Sequence, residues 1–281
     1  MKKELADKIL NETEVGYDLI SQKFSQTRKH FWRRLEFLAD YVKTGNKVLD
    51  WGCGNGRLLE LLAGKDFEYR GVDVSQKLIE FAKQKYQGEK IIFAKINNFA
   101  KPELNSVPEL SSEKKVTLFE ADSFDNIFSI AVFHHFPSAS YRQEIAEQFF
   151  RLTKKDGRVI ITVWHLWPAC NTLLSDMIKW IFSCRFNVKK VTCNTSRSNV
   201  GKQKKYFKNI VRNWVSKILG KSKLDWNDCE ISFTDNQGQK FQRFHHAFTK
   251  GELRKLFQEA GFEIEKCEIV DERNILLIGR K

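Results

Sequence analysis

The stretch Val48-Leu49-Asp50-Trp51-Gly52-Cys53-Gly54-Asn55-Gly56 constrains this chain more than any other. A short apolar run from Lys47 to Asp50 meets glycines at 52, 54 and 56, and a helical pattern follows from about Arg57 to Ala63. A strand that bends sharply into a helix, with its backbone open to a ligand, needs residues free of a Cβ penalty. The same alternation continues downstream. Tyr69 to Val74 reads as a strand ending in an acidic residue, and Ser75 can cap a helix over about Gln76 to Tyr86. Ile91 to Lys95 is a third strand, and the mostly apolar run Asn126 to Phe133 suits a central parallel strand. Tyr141 to Thr153 is helical, and Arg158 to Trp164 is a fifth strand entered through the turn Lys155-Asp156-Gly157. Phe262 to Val270 and Ile275 to Gly279 are the last two strands. The turn between them, Asp271 to Asn274, is too short for a crossover, so they are expected to be antiparallel neighbours. Alternating strands and helices imply one α/β sheet.

The glycine loop differs from a dinucleotide fingerprint. Its third glycine comes one position early, and Arg57 stands where that motif places glycine. Asp50 precedes the loop, and a carboxylate there does little for a pyrophosphate but suits a sulfonium-bearing zwitterion. Asp73 ends the second strand, where a carboxylate can accept from ribose hydroxyls at the switch point of a doubly wound sheet.

Elsewhere the chain is less regular. Tyr17, Ile20, Phe24, Phe31 and Leu35 predict a helical region over about Tyr17 to Val42, interrupted near Ser25 to Arg28. Ala100 to Ala121, with Pro102 and Pro108, reads as loop. Thr249-Lys250-Gly251-Glu252 has capping-box form and opens a helix to about Ala260, stopped by Gly261. The six cysteines are scattered with no C-x-x-C pair, so reduced thiols and no metal site are expected. No apolar run reaches the ~18 residues of a membrane span. Met1 to Leu10 lacks the apolar core of a secretory signal, so a cytoplasmic protein is expected.

The net charge of +13 favours polyanionic partners. Its distribution is uneven: Ala169 to Trp226 holds thirteen Lys and Arg against two Asp. Within it, Phe207, Ile210, Val211, Trp214 and Ile218 mark an amphipathic helix with cations on its other face. Such a segment suits an RNA surface, with Phe207 and Trp214 assigned to packing, or an anionic membrane surface, to which the apolar stretch Thr172 to Phe186 would add. The expected organisation is a helical segment at 1–45, a cofactor-binding core at 46–168, a basic helical insert at 169–227 and the C-terminal part of the sheet at 228–281.

The glycine loop with Asp50 and Asp73 resembles motifs I and II of class I S-adenosylmethionine-dependent methyltransferases. Tyr17-Asp18-Leu19-Ile20, Phe24-Ser25-Gln26-Thr27-Arg28, the loop Ser129 to Phe136, Trp164, and Gln242 to Phe248 resemble the transfer-RNA wobble-uridine carboxymethyl methyltransferases, including the domain fused to AlkB-type oxygenases. The resemblance implies a Rossmann-like seven-stranded sheet, mostly parallel with an antiparallel last strand. It implies S-adenosyl-L-methionine as cofactor, held by Asp50, Gly52, Cys53, Gly54, Gly56 and Asp73. Asn97 or Asn98 stands where an acidic residue usually meets the adenine, and Ile130, Ala131 and Val132 approach the methyl group. The implied acceptor is the carboxylate of a 5-carboxymethyluridine in tRNA, already ionised near neutral pH, so no general base or nucleophile is needed. Arg243 is the candidate for gripping that carboxylate and His134 or His135 for orienting the base; of His245 and His246, adjacent on a strand, one should face in and one out. The related enzymes work with a small zinc-ribbon activator subunit. A membrane-surface methyltransferase of lipids, quinone precursors or other small molecules, and a catalytically inactive RNA-binding subunit, are the alternatives.

Overall fold

The computed structural model describes residues 1–28, 30–97, 99, 119–167, 197–235 and 237–281, with 197–205 by backbone alone. Asn98, the stretch Thr172 to Phe186 and most of the 100–121 loop lie outside the described residues.

Seven strands form the main sheet: β1 Lys47–Trp51, β2 Glu68–Asp73, β3 Ile91–Lys95, β4 Phe124–Ile130, β5 Thr153–Trp164, β8 Glu263–Val270 and β9 Asn274–Arg280. Their order is β3-β2-β1-β4-β5-β9-β8. β1 pairs in parallel with β2 and β4, and β9 runs antiparallel to both β5 and β8, as expected of the last strand. The chain winds outward from β1 to β3, then returns to β4 on the other side of β1. That reversal leaves a crevice at the carboxyl ends of β1 and β4.

Central strands are buried on both faces, which explains their continuous apolar character. One face joins Leu49, Trp51, Ile127, Phe133, Phe149 and Phe257; the other joins Val48, Tyr69, Phe128, Ile160 and Leu35. Helices α2 Leu58–Leu61, α3 Gln76–Lys85, α4 Ala139–Leu152 and α6 Lys250–Glu259 connect the strands. Ser75 Oγ accepts from Leu78 N, and Thr249 Oγ1 from Glu252 N, so both sequence-read caps form.

Three elements depart from the sequence reading. The N-terminal helix, α1, spans Lys3–Thr27, and Arg33–Tyr41 is 3-10 helix rather than its continuation. The buried stripe of α1 includes Ala6, Thr13, Gly16 and Ser21, residues too small or polar for a reading based on large apolar side chains. β4 ends at Ile130, because Ala131 takes φ +59 and Phe133–His135 winds into a 3-10 turn. β6 Asp228–Thr234 and β7 Lys240–His246 form a separate antiparallel ribbon. Of the segment expected to complete the main sheet, only β8 and β9 do so.

The basic helix, α5, spans Arg197–Ile218 and lies on this ribbon. Ile210 is buried with Leu166, Cys229, Ile231 and Ala247, while Trp167 and Trp214 pack against them. Asn209 Nδ2 donates to Glu230 O at 2.9 Å.

Candidate active site

The glycine loop is pinned at the crevice by its backbone. Gly52 N and Cys53 N both donate to Val72 O, at 2.8 and 3.0 Å. Gly52 takes φ +83, and a Cβ there would stand 2.4 Å from Val132 Cγ2. Glycine is therefore required twice, by conformation and by space. Asp73, at the end of β2, accepts from Gly54 N and Ser75 N, each at 2.9 Å. Burial raises its carboxyl to about 6, against the pull of those two N–H groups.

A cavity of about 240 Å³ opens above the loop. Gly52, Gly54, Asp73, Asn97, Ile130, Ala131 and His135 line it, together with Tyr17, Phe24, Arg28, Trp32, Arg57 and Trp164. Asp50, Cys53 and Gly56 support the loop from beneath instead. Asp50 is buried and accepts a 2.7 Å bond from the Tyr69 hydroxyl; burial lifts its carboxyl to about 7. The expected direct contact of Asp50 with a bound zwitterion is thus replaced by a position behind the strand, filled by Tyr69. Cys53 is buried, its thiol pushed well up by burial, and Gly56 closes on Phe93 and Tyr86.

Helix α1 roofs the cavity. Asp18 Oδ1 accepts from Ser75 Oγ and Lys77 N, which fastens the roof to the start of α3. Glu14 pairs with Lys95 of β3 at 2.8 Å. Sequence reasoning used Tyr17, Asp18 and Arg28 as a signature without assigning them work. Their helical spacing to the buried stripe was the available signal.

The far wall is built from the 3-10 turn, with β7 packed behind it and outside the cavity lining. His135 Nδ1 lies 3.1 Å from Phe244 O, which can only accept, so this nitrogen carries the proton. Nε2 is then an acceptor, 2.8 Å from the Tyr17 hydroxyl and 3.3 Å from Arg243 Nη2. Arg243 Nη2 also donates to Tyr17 Oη at 3.1 Å. The guanidinium lies over the rings of Tyr17 and Phe233, with Cζ 4.5 and 4.0 Å from their centroids. Arg243 is 3% exposed, its Nε has no partner, and among the described residues no carboxylate pairs with it. An uncompensated buried cation is costly.

His134 and His245 complete the wall without lining the cavity. His134 Nδ1 accepts from Trp164 N at 3.4 Å and its ring stacks on Trp164 at 4.9 Å. His245 Nδ1 donates to Arg243 O. Burial first, and then neighbouring cationic or imidazole groups, hold His134, His135 and His245 well below the usual histidine range, so all three are neutral at pH 7. Their ligand atoms lie within 4.8 Å of one another. The Arg243 guanidinium at 3.3 Å puts a fixed positive charge against that cluster and makes it a poor cation site.

His246 corrects the expectation that one of the adjacent histidines faces out. It is buried like His245, because the ribbon has the cavity wall on one face and α6 on the other. Its Nδ1 is 2.6 Å from Asp228 Oδ1, and its Nε2 is 2.6 Å from Glu252 Oε1. Glu252 therefore anchors the ribbon to α6.

A family model described as a methyltransferase domain matches residues 24–266. The chain belongs to this methyltransferase family. It is 28% identical over 253 residues to the tRNA (carboxymethyluridine(34)-5-O)-methyltransferase alkbh8 of Xenopus tropicalis, covering 85% of this chain and 36% of that protein. It is 24% identical over 249 residues to the enzyme of the same name from Schizosaccharomyces pombe, covering 88% and 87%. The chain thus spans about a third of the first curated relatives it matches, and most of the yeast one. A Methanosarcina mazei S-adenosylmethionine-dependent methyltransferase superposes with a TM-score of 0.57 at 18% identity, covering 90% of this chain and 98% of that one. A chain from the complex of the Haloferax volcanii Trm112 activator with a methyltransferase superposes with 0.52 at 14% identity, covering 95% and 96%. These likenesses confirm the fold.

The residues present fit the family's cofactor. Asp73 would meet the ribose diol and Asn97 the adenine. Gly52 and Gly54 leave room for the methionine moiety, and Ile130 and Ala131 would flank the methyl group.

Proposed function

We propose that this protein transfers a methyl group from S-adenosylmethionine to the carboxylate of a 5-carboxymethyl-type wobble uridine in tRNA. The observation that carries the reading is Arg243, a buried guanidinium with an unpartnered Nε and no counter-ion among the described residues, directly behind the cavity-lining Tyr17 and His135. A carboxylate supplies the missing anion and matches the fork of Nε and an Nη bidentately. The two relatives reported above carry the corresponding activity in their names.

S-adenosylmethionine supplies an electrophilic methyl on a sulfonium. When bound, held by Gly52, Gly54, Asp73 and Asn97, it would supply that methyl to a carboxylate oxygen, giving an ester and a neutral thioether. No proton moves, so no residue acts as base or nucleophile. The protein brings the two charges into line and removes water. Tyr17 and neutral His135 hold Arg243 in place, and α1 closes the cavity over the reactants. His134, stacked on Trp164, stiffens the wall behind them.

A zinc-ribbon activator subunit is the protein partner this reading carries with it; co-purification from the native host tests that requirement. Among the described residues no helix is long and apolar enough to cross a membrane.

The acceptor assignment is tested by offering tRNA bearing either the acid or its amide at the same uridine. Methylation confined to the acid supports the carboxylate grip. Equal methylation of the amide contradicts it.

A further inference from the structure

The backbone of the glycine loop has little left to offer an anion. Gly52 N and Cys53 N both donate to Val72 O, Gly54 N donates to Asp73 Oδ2, and Gly56 N donates to Cys53 O. Helix α2, which follows, has four residues, too few for aligned peptide dipoles to add up. A methionine moiety over Gly52 and Gly54 brings its α-carboxylate to this end of the cavity. A carboxylate taken out of water needs donors, and here the loop does not supply them.

Two arginines stand beside the loop and line the cavity. Arg28 ends α1, and Asn55 Nδ2 donates to its carbonyl oxygen at 3.5 Å. Its Cζ lies 4.4 Å from the centroid of Phe24, the ring that a Cβ on Gly54 would meet at 3.4 Å. Arg57 comes directly after the loop, at the position where a dinucleotide fingerprint has glycine. Its Cζ lies 4.3 Å from the centroid of Trp32, another lining residue. Each guanidinium is thus carried on an aromatic face. Among the described residues neither forms an ion pair with a carboxylate. Asp50 and Glu60, the carboxylates whose charge reaches Arg57, are tied to the Tyr69 hydroxyl and to His30 instead. Burial, and after it the like charge of Arg28, lowers Arg57 to about 10. The two cations repel each other, and an anion touching both would replace that repulsion with attraction.

We propose that Arg57 and Arg28 form the subsite for the carboxylate of the cofactor's methionine moiety. The subsite requires S-adenosylmethionine as the methyl donor and is independent of which acceptor is used. Guanidinium forks match a carboxylate bidentately. Arg243, behind the other wall, is left for the acceptor. An RNA phosphate offers similar anionic oxygens, but the place of the pair beside Gly54 favours the cofactor.

The test is calorimetry on the full chain without RNA, using S-adenosylmethionine and its decarboxylated form, which keeps the sulfonium and the amine and lacks only the carboxylate. The wild-type protein should bind S-adenosylmethionine at least about tenfold more tightly than the decarboxylated form, the lower end expected of a hydrogen bond to a charged group. Arg57→Met should weaken S-adenosylmethionine by about tenfold or more. The decarboxylated form is a dication, so the variant should bind it as well as the wild type does, or better. Arg28→Met should act in the same direction. Equal affinity of the wild-type protein for the two ligands overturns the subsite. So does equal weakening of both ligands in the variants, which would make the arginines part of the cavity's shape alone. Unchanged S-adenosylmethionine affinity with weaker tRNA binding also overturns it and gives the pair to an RNA phosphate or to the acceptor. Failure of the acceptor reading looks different: no methylation of tRNA by a wild-type protein that still distinguishes the two ligands.

Discussion

Replacing Arg243 with methionine separates a binding role from a structural one. The side chain is 3% exposed, donates to Tyr17 Oη and faces His135 Nε2, and lies over Tyr17 and Phe233. Methionine keeps the length and the ring contacts. It removes a charge without a carboxylate partner among the described residues, which offsets the loss of cation–π contacts worth ~0.5–2 kcal/mol each. Net stability should change by less than about 1 kcal/mol, a shift of roughly 2–4 °C in Tm for a domain near this size. A hydrogen bond to a charged group contributes about 1.5–3 kcal/mol, which is about 10- to 150-fold in an equilibrium. Where that loss appears is set by the chemistry. The acceptor is fully anionic in the ground state and partly neutralised in the transition state, so Arg243 holds the substrate at least as tightly as the transition state. The loss should therefore fall on KM for tRNA, with kcat changing less than about fivefold. Steady-state methyl transfer at saturating cofactor, with thermal unfolding alongside, measures both. An unchanged KM together with a large fall in Tm would show that Arg243 is a structural residue, and the carboxylate grip would be wrong.

Two other perturbations probe the cofactor side. Gly52→Ala, at φ +83 with Val132 at 2.4 Å, should raise the S-adenosylmethionine Kd by at least about tenfold, against a left-handed penalty of ~1–2 kcal/mol alone; Gly64→Ala, also at φ +83 but with nothing within 4 Å, serves as the control for calorimetry. Asp50, raised from 3.8 to about 7, holds its proton more tightly folded than unfolded, so its contribution is fully present below pH 3.8 and is lost as pH rises through about 7. Asp50→Asn should therefore gain stability relative to wild type as pH rises across that window, by up to about 4 kcal/mol, in denaturant titrations at successive pH values; a difference independent of pH contradicts the assignment.

The parts of the fold legible in the sequence were those written in backbone chemistry. The glycine spacing, the acidic end of β2 and the apolar run of β4 could form little else, and the short turn at Asp271 to Asn274 fixed β8 and β9 as antiparallel. Elements whose packing depends on small or polar residues were less visible. The buried stripe of α1 passes through Ala6, Thr13 and Gly16, and Gly16 faces Phe241, a contact between residues far apart in sequence. The ribbon was missed because β6, Asp-Cys-Glu-Ile-Ser-Phe-Thr, follows directly on the basic segment and carries few large apolar residues. Arg243 and His135 were singled out in sequence as candidates for the site, yet Tyr17, which joins them, was read as a helix position and part of a signature, not as a site residue. Asp50 was placed on the right strand, but its partner there, the Tyr69 hydroxyl, was not legible, since the glycine spacing does not say what fills the space beside it.

The most direct test of the central claim is transfer of labelled methyl from S-adenosylmethionine to tRNA taken from cells lacking the gene, followed by mild alkali and nucleoside mass analysis. The account predicts label on a 5-substituted uridine that alkali releases, as an ester must. Alkali-stable label, or none in RNA while S-adenosylmethionine still binds, would contradict it.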